Sequence, residues 1–230
     1  MIGMASDARL IVFEGGEGSG KSTQLRLLSA ALEARGIRHI CLREPGGTPL
    51  GGEVRRVLLD TASDIVPRAE ALLFMASRAQ LVEREIRPAL ARGDVVLLDR
   101  FFLSTYAYQI GGHGLPEEEV RTANRFATGG LVPDVTFLLS FPVEEGLARA
   151  ANRPSAHDRM EALGGDFHRR VAAAFDRFAQ RDWQAEHPEC GSILQIPATE
   201  SERIVAACVH STLATLWPGT FASLPASDRQ

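Results

Sequence analysis

The sequence predicts an α/β fold, a parallel sheet covered by helices on both faces. Three observations carry this. Short continuous apolar runs recur along the chain. Longer stretches with helical spacing separate them. The 230 residues suit one large domain better than two. The first run, Leu10–Glu14, is β-branched and aromatic and ends in glycines. From about Gly20 to Arg35 the spacing turns helical, with Leu25, Leu28 and Leu32 on one face and Gly36 as the stop. A second strand is expected at Arg38–Leu42. Arg43–Thr48 follows as a loop, because Pro45 and the paired glycines forbid a regular element. A short helix covers Leu50–Leu59. Pro67 then opens a long helix to about Arg92, whose apolar stripe runs Leu72, Met75, Ala79, Val82, Ile86, Ala89. Val95–Leu98 is the third strand. Helices are expected at 103–110 and 116–126, and a fourth strand at Val135–Ser140. Helices at 143–152 and 166–186 flank a polar stretch. A fifth strand at Ser192–Ile196 leads to a helix over Glu200–Leu216. Residues 1–8 read as a loose leader, 9–217 as one domain, and the Ser-, Pro- and Ala-rich 218–230 as a frayed tail.

Composition narrows the function classes. Apolar residues are 45% and charged residues 23%, which excludes a disordered or collagen-like chain. The net charge of −4 argues against a protein that coats nucleic acid. No apolar run approaches the roughly 20 residues that span a bilayer. Cys41, Cys190 and Cys208 are odd in number and widely spaced, which fits a reducing cytoplasm rather than a disulfide framework. Of the 25 basic residues only one, Lys21, is a lysine. In a chain that has drifted to arginine, that position marks a need for a compact ammonium rather than a planar fork.

Lys21 lies in Gly15-Gly16-Glu17-Gly18-Ser19-Gly20-Lys21-Ser22, which matches G-x-x-x-x-G-K-[ST] between a strand and a helix. The glycines let backbone N–H groups turn inward around phosphate oxygens, and the helix N-terminus adds its dipole. Lys21 is suited to the β- and γ-phosphates and the Ser22 hydroxyl to Mg²⁺. Asp99 ends the third strand and can place a second metal ligand there, although an Asp after a strand also caps helices. Arg100 beside it suits an acceptor phosphate. These residues define a nucleoside triphosphate site without defining a reaction. A guanine-reading Asn-Lys-x-Asp is absent, as are G-x-S-x-G and H-E-x-x-H. The six histidines are scattered and suit surface or capping positions better than ligation.

Phe74 and Arg78, four apart, share a helix face. On spacing alone, a core Phe beside a solvated Arg is the better fit, ahead of a base-stacking ring beside a hydrogen-bond donor. Together with Phe13–Thr23, Arg43–Thr48, Asp99–Gln109 and Asp158–Glu161, the Phe74–Arg78 segment makes the chain resemble the bacterial thymidylate kinases, over roughly Arg9 to Leu216 and in family order. The resemblance implies a P-loop fold with five parallel strands and a lid at about 149–161. It also implies Mg²⁺-dependent transfer from ATP to dTMP in a homodimer. Under it, Phe74 stacks on thymine, Arg78 donates to O4, and Thr105 meets the N3 edge. Arg43, Arg100 and Arg55 bind the acceptor phosphate, Glu17 meets the 3′-OH, and Tyr108 crowds the 2′ position. Glu44 would assist the metal or order the arginines. Arg149, Arg153 and Arg159 are the lid arginines, which supply charge to the transferring phosphate because Gly18 stands where other members carry a P-loop arginine; Arg153 is favoured over Arg149 because it lies deeper in the loop. Ala151 departs from the pattern, where a further lid arginine is often seen. A kinase of another nucleoside monophosphate, or a nucleotide-dependent switch, remains the alternative.

Overall fold

The computed structural model describes residues 8–152 and 158–225. Five strands form one sheet: β1 (Arg9–Glu14), β2 (His39–Arg43), β3 (Val95–Asp99), β4 (Val135–Ser140) and β5 (Ile193–Pro197), in the order β2-β3-β1-β4-β5. Every pairing is parallel. Both faces are buried, and alternate strand residues divide between two cores. Leu10, Val12, Val96 and Leu98 face one, and Ile11, Phe13, Val95 and Leu97 the other. Fully burying side chains of this size contributes about 1.5–3 kcal/mol each.

The second core is closed by α1 (Lys21–Glu33) and, far along the chain, α10 (Glu202–Leu216), through Leu28, Leu32, Val209 and Leu213. The first core takes α3 (Pro67–Leu81), α6 (Glu117–Thr128) and α8 (Gly165–Phe178), through Met75, Val120 and Phe175. The short α2 (Pro49–Leu59) starts where the Thr48 hydroxyl accepts from Gly51 N at 3.0 Å, with Pro49 in its first turn.

Several elements differ from the sequence expectation, each for a local reason. The long helix expected to Arg92 is α3, a π-helical turn at Val82–Ile86, and α4 (Arg87–Ala91). Pro88 has no N–H to donate, and the backbone widens just before it. Leu72, assigned to the apolar stripe, is 62% exposed. The helix expected at 103–110 is a single turn, α5 (Phe102–Thr105), that widens into a π-helical Tyr106–Gly112. The stretch 166–186 breaks into α8 and α9 (Arg181–Glu186). Residues 218–225 are not frayed. Pro218–Phe221 forms α11, and Phe221 and Leu224 enter the second core, while Arg35 Nε donates to Ser223 O. Three histidines, His168, His187 and His210, are buried rather than at the surface.

Candidate active site

Parallel strands bring their C-terminal ends to one edge, where open α/β sheets bind ligands. Here the register sets Phe13 and Arg43 beside Asp99, so three chemically active segments leave the sheet together. The first is the glycine turn after β1. Lys21 is 7% exposed and its ammonium donates to Gly15 O at 2.9 Å, Gly16 O at 2.7 Å and Ser19 Oγ at 3.3 Å. Burial, and then the nearby Arg100 charge, lower its pKa from 10.5 to about 8. The turn is held tight from outside as well. Gly18 has φ +69, and a Cβ there would overlap the backbone of Gly146 in α7 (Val143–Ala151). That contact accounts for the absence of a larger side chain at position 18.

The Ser22 hydroxyl donates to Asp99 Oδ2 at 2.6 Å, joining the start of α1 to the end of β3. Hydroxyl and carboxylate oxygens side by side at a phosphate-binding helix N-terminus are the donor set a Mg²⁺ ion takes with phosphate oxygens. Among the described residues there is no cluster of three or more His, Cys, Asp or Glu for a metal held by protein alone.

Arg100 follows Asp99 with φ +72, the one left-handed non-glycine residue among those described. Such a backbone costs about 1–3 kcal/mol and persists only where its surroundings impose it. Glu14, fully buried, does so. Its Oε1 accepts from Phe101 N at 2.6 Å and Ser104 N at 3.0 Å, and its Oε2 from Ser104 Oγ at 2.6 Å. Arg100 N also donates to Phe13 O at 3.0 Å. The guanidinium then reaches Ser104 Oγ at 3.0 Å and Glu17 Oε1 at 2.5 Å, and Tyr108 Oη donates to the same Glu17 oxygen at 3.1 Å. Burial leads the upward shift of the Tyr108 phenol, so it stays a neutral donor. Sequence reasoning missed Glu14 and Ser104. A strand-end position marks Asp99 as well as Glu14; what no spacing encodes is that Glu14 turns from the glycine loop to the distant turn after β3.

The opposite wall is α3. Phe74 is half-buried at the cleft, whereas Arg78 is 1% exposed. All five guanidinium N–H groups of Arg78 are engaged. Nε and one Nη2 hydrogen go to Glu44 Oε2 at 2.8 and 2.5 Å, and the other Nη2 hydrogen to Phe101 O at 2.9 Å. Nη1 serves Thr105 Oγ1 at 2.8 Å and Asn124 Oδ1 at 2.5 Å. The solvated-arginine alternative is therefore overturned. Glu44 orders this arginine and makes no bond to Ser22 or Asp99. Burial raises the Glu44 carboxyl and Arg78 opposes the shift. Asn124 was not foreseen; nothing marks an asparagine on a surface-patterned helix as a partner for a distant arginine.

Arg43 is exposed at the end of β2, with no side-chain hydrogen bond or ion pair among the described residues. Arg55 donates to Pro45 O at 3.1 Å. Burial, and then the Arg43 charge, lower the Arg55 value, and Asp158 partly offsets this. Two guanidinium groups disfavouring each other make a place for an anion. At the other end of the cleft Arg149 lies over the Phe141 ring at 3.9 Å. Arg153 and its neighbours to 157 lie outside the described residues. Arg159 is tied to Leu58 O and Glu70 rather than to Asp158 or Glu161.

One cleft of about 760 Å³ takes in both sets, with Lys21, Ser22 and Asp99 on one side and Arg43, Phe74 and Tyr108 on the other. It also takes in Glu17, Gly18, Gly20, Arg55, Arg78, Arg100, Thr105 and Arg149. Gly15, Gly16 and Ser19 form the inner side of the turn around Lys21.

A triphosphate loop that shares a cleft with an arginine pair and an aromatic floor defines a P-loop kinase of nucleoside monophosphates. The comparisons carry this further. The thymidylate kinase family model matches residues 13–188. The chain is 50% identical to the thymidylate kinase of Thermomicrobium roseum over 174 residues, 76% of this chain and 82% of that one. It is 44% identical to that of Bifidobacterium longum over 211 residues, 90% and 97% of the two chains. The thymidylate kinase of Chlorobium chlorochromatii is 44% identical over 210 residues, 86% and 92%. The chain belongs to the thymidylate kinase family and is a phosphotransferase. No helix among the described residues is long and apolar enough to cross a membrane.

Proposed function

We propose that this chain transfers the γ-phosphoryl group of ATP to dTMP, giving ADP and dTDP, with Mg²⁺ held at Ser22 and Asp99. The observation that carries the reading is the shared cleft, with the Lys21 loop at one end and the Arg43–Arg55 pair beside Phe74 at the other. Bound Mg²⁺ supplies charge neutralisation at the β- and γ-phosphates. A dTMP phosphate oxygen forms the new bond to the γ-phosphorus as its bond to the β-bridging oxygen breaks. The acceptor oxygen is itself the nucleophile, so no side chain has to be. The chain's part is to hold two anions in line and to meet the charge that spreads over the transferred group.

In this reading Lys21 and the backbone of Gly15–Ser22 hold the β- and γ-phosphates. Arg100, braced by Glu14 and Ser104, spans donor and acceptor. Arg43 and Arg55 take the acceptor phosphate, and Phe74 stacks on the base. Arg78 faces the 4-oxo group through Nη1, which exchanges Thr105 or Asn124 for the carbonyl, and Thr105 offers its oxygen to N3–H. Glu17 and Tyr108, hydrogen-bonded together, form the sugar edge. Arg149 and Arg153 serve ATP, with Arg153 meeting charge on the transferring group.

A homodimer is part of the proposal. Leu72 of α3 and Phe126 of α6 are apolar and 62% and 90% exposed, on two helices that pack together. A reducing cytoplasm suits the free Cys41, Cys190 and Cys208. The test is a panel of monophosphates with Mg·ATP, read as ADP release, with light scattering for the assembly. The reading requires dTMP to be preferred over dCMP and purine monophosphates. Equal turnover of dTMP and dCMP would assign the cleft to another pyrimidine acceptor. ADP release independent of any monophosphate would favour a switch protein.

A further inference from the structure

Glu70 has no part in that reading, yet its carboxylate is fully buried beside the cleft. It sits in the first turn of α3, four residues before Phe74 and eight before Arg78, on the same helix stripe. Its Oε1 accepts from Gln109 Nε2 at 2.8 Å and from His113 Nε2 at 3.0 Å, with that ring nitrogen carrying the proton. Its Oε2 accepts from Arg159 Nη2 at 2.5 Å. Arg159 is fastened again by Nε to Leu58 O at 2.9 Å and by its backbone N to Leu59 O at 3.1 Å.

Two of these contacts bear directly on the cleft lining. Gln109 itself lines it beside Tyr108 on the π-helical wall, and Arg159 lies between Asp158 and Met160, which line it too. Asp158 is also one of the charges felt by Arg55. Burial alone would raise the Glu70 carboxyl. Hydrogen bonds from His113, Arg159 and Gln109 outweigh it and hold the group below its ordinary value, so it is ionised at neutral pH. A leucine would fill such a space without desolvating a charge. What a carboxylate adds is direction: three segments distant in sequence share one fixed geometry.

We propose that Glu70 is a positioning residue for the acceptor, fastening the Asp158–Glu161 segment and the Tyr108–Gln109 wall to the helix that bears Phe74. The width of the monophosphate half of the cleft is then set before substrate arrives. This rests on the acceptor site described under Proposed function, and the ATP half should be indifferent to it.

The test is steady-state kinetics on the full chain, varying dTMP and ATP separately. Glu70→Gln keeps the shape and removes the charge. It should raise KM for dTMP about tenfold, with KM for ATP unchanged. Arg159→Gln should do the same, Arg159→Lys should recover part of the loss, and the double variant should be no worse than the poorer single. The proposal is overturned if both KM values rise together, if the two single effects multiply in the double variant, or if only thermal stability falls. Should Glu70→Gln fail to fold, the two Arg159 variants carry the same test. Phe74→Ala separates the layers. If it leaves KM for dTMP unchanged, the acceptor reading itself fails. If it raises KM while Glu70→Gln and Arg159→Gln do not, Glu70 alone is misassigned.

Discussion

The two halves of the cleft are built in different ways. The donor half is nearly contiguous: residues 15–22 carry most of it, largely through backbone groups, with Asp99 added beside Ser22, Arg149 lining the same cleft, and a single buried ammonium tied to two carbonyls of its own turn. The acceptor half is gathered from β2, α2, α3, the turn after β3 and the π-helical segment, and its geometry is set by buried side-chain networks around Glu14, Arg78 and Glu70. A backbone-built site tolerates little change at its glycines and its lysine. A network-built site loses affinity by degrees. The difference between the halves is open to direct tests.

The largest effect should come from Lys21→Met, which keeps the stem and removes the charge. Single-turnover transfer should fall about 10³-fold or more with the far-UV circular dichroism unchanged. Retained transfer would break the donor assignment. Gly18→Ala should come next, since it combines an unfavourable φ with overlap against Gly146. Transfer should drop about 10²-fold, while equilibrium binding of dTMP, followed by calorimetry, stays close to the parent value. A dTMP affinity that falls equally would mean the halves are not separable.

Glu14→Ala crosses the boundary, because it removes the acceptor of three hydrogen bonds that hold Arg100 left-handed. We expect kcat/KM for dTMP to fall about 10- to 100-fold, and stability to fall by about 1–3 kcal/mol in urea unfolding. If stability falls and kinetics do not, the strain at Arg100 is unrelated to phosphate binding. Phe74→Ala should cost about 1–3 kcal/mol of base stacking, seen in KM for dTMP with little change in KM for ATP. The smallest effect is with pH. Lys21 must be protonated to hold phosphate, and its folded-state value is about 8 rather than 10.5. The kcat/KM for ATP should therefore fall as pH rises through about 8. In the kcat profile this limb should move upward, because bound phosphate favours the protonated ammonium. Identical limbs in both profiles would place the titration elsewhere.

The same contrast decides what the sequence made legible. The order of strands and helices, the glycine turn and its lysine follow from local pattern: apolar runs, three-and-four spacing, glycines at a strand–helix junction. Spacing sets Arg78 on the helix face of Phe74, and it is the family resemblance rather than the spacing that puts the pair at the cleft. The depth of Arg78 does not follow from that spacing, because Glu44, the Phe101–Thr105 turn and Asn124 meet it from three separate segments, and no local period encodes such a meeting. Glu14 and Glu70 escaped for the same reason. The end of the chain misled in the opposite direction. The Ser-, Pro- and Ala-rich composition of 218–230 suggests fraying, yet Phe221 and Leu224 enter the second core and Arg35 donates to Ser223 O, which docks 218–225.

The π-helical segment Tyr106–Gly112 has a further consequence, for how this chain can change length. A π turn holds one residue more than an α turn. Deleting a single residue within it, at Gly111 or Gly112, would let the segment relax into ordinary α-helix. Because the extra residue is taken up inside the wide turn, side chains on either side of it would keep their facing, where the same deletion in an ordinary α-helix would turn one side by about 100° relative to the other. Tyr108 and Gln109 lie before that point and His113 after it. A one-residue gap here is one this wall can absorb, with Tyr108 still on Glu17, whereas the same gap inside α3, between Phe74 and Arg78, would part those two side chains.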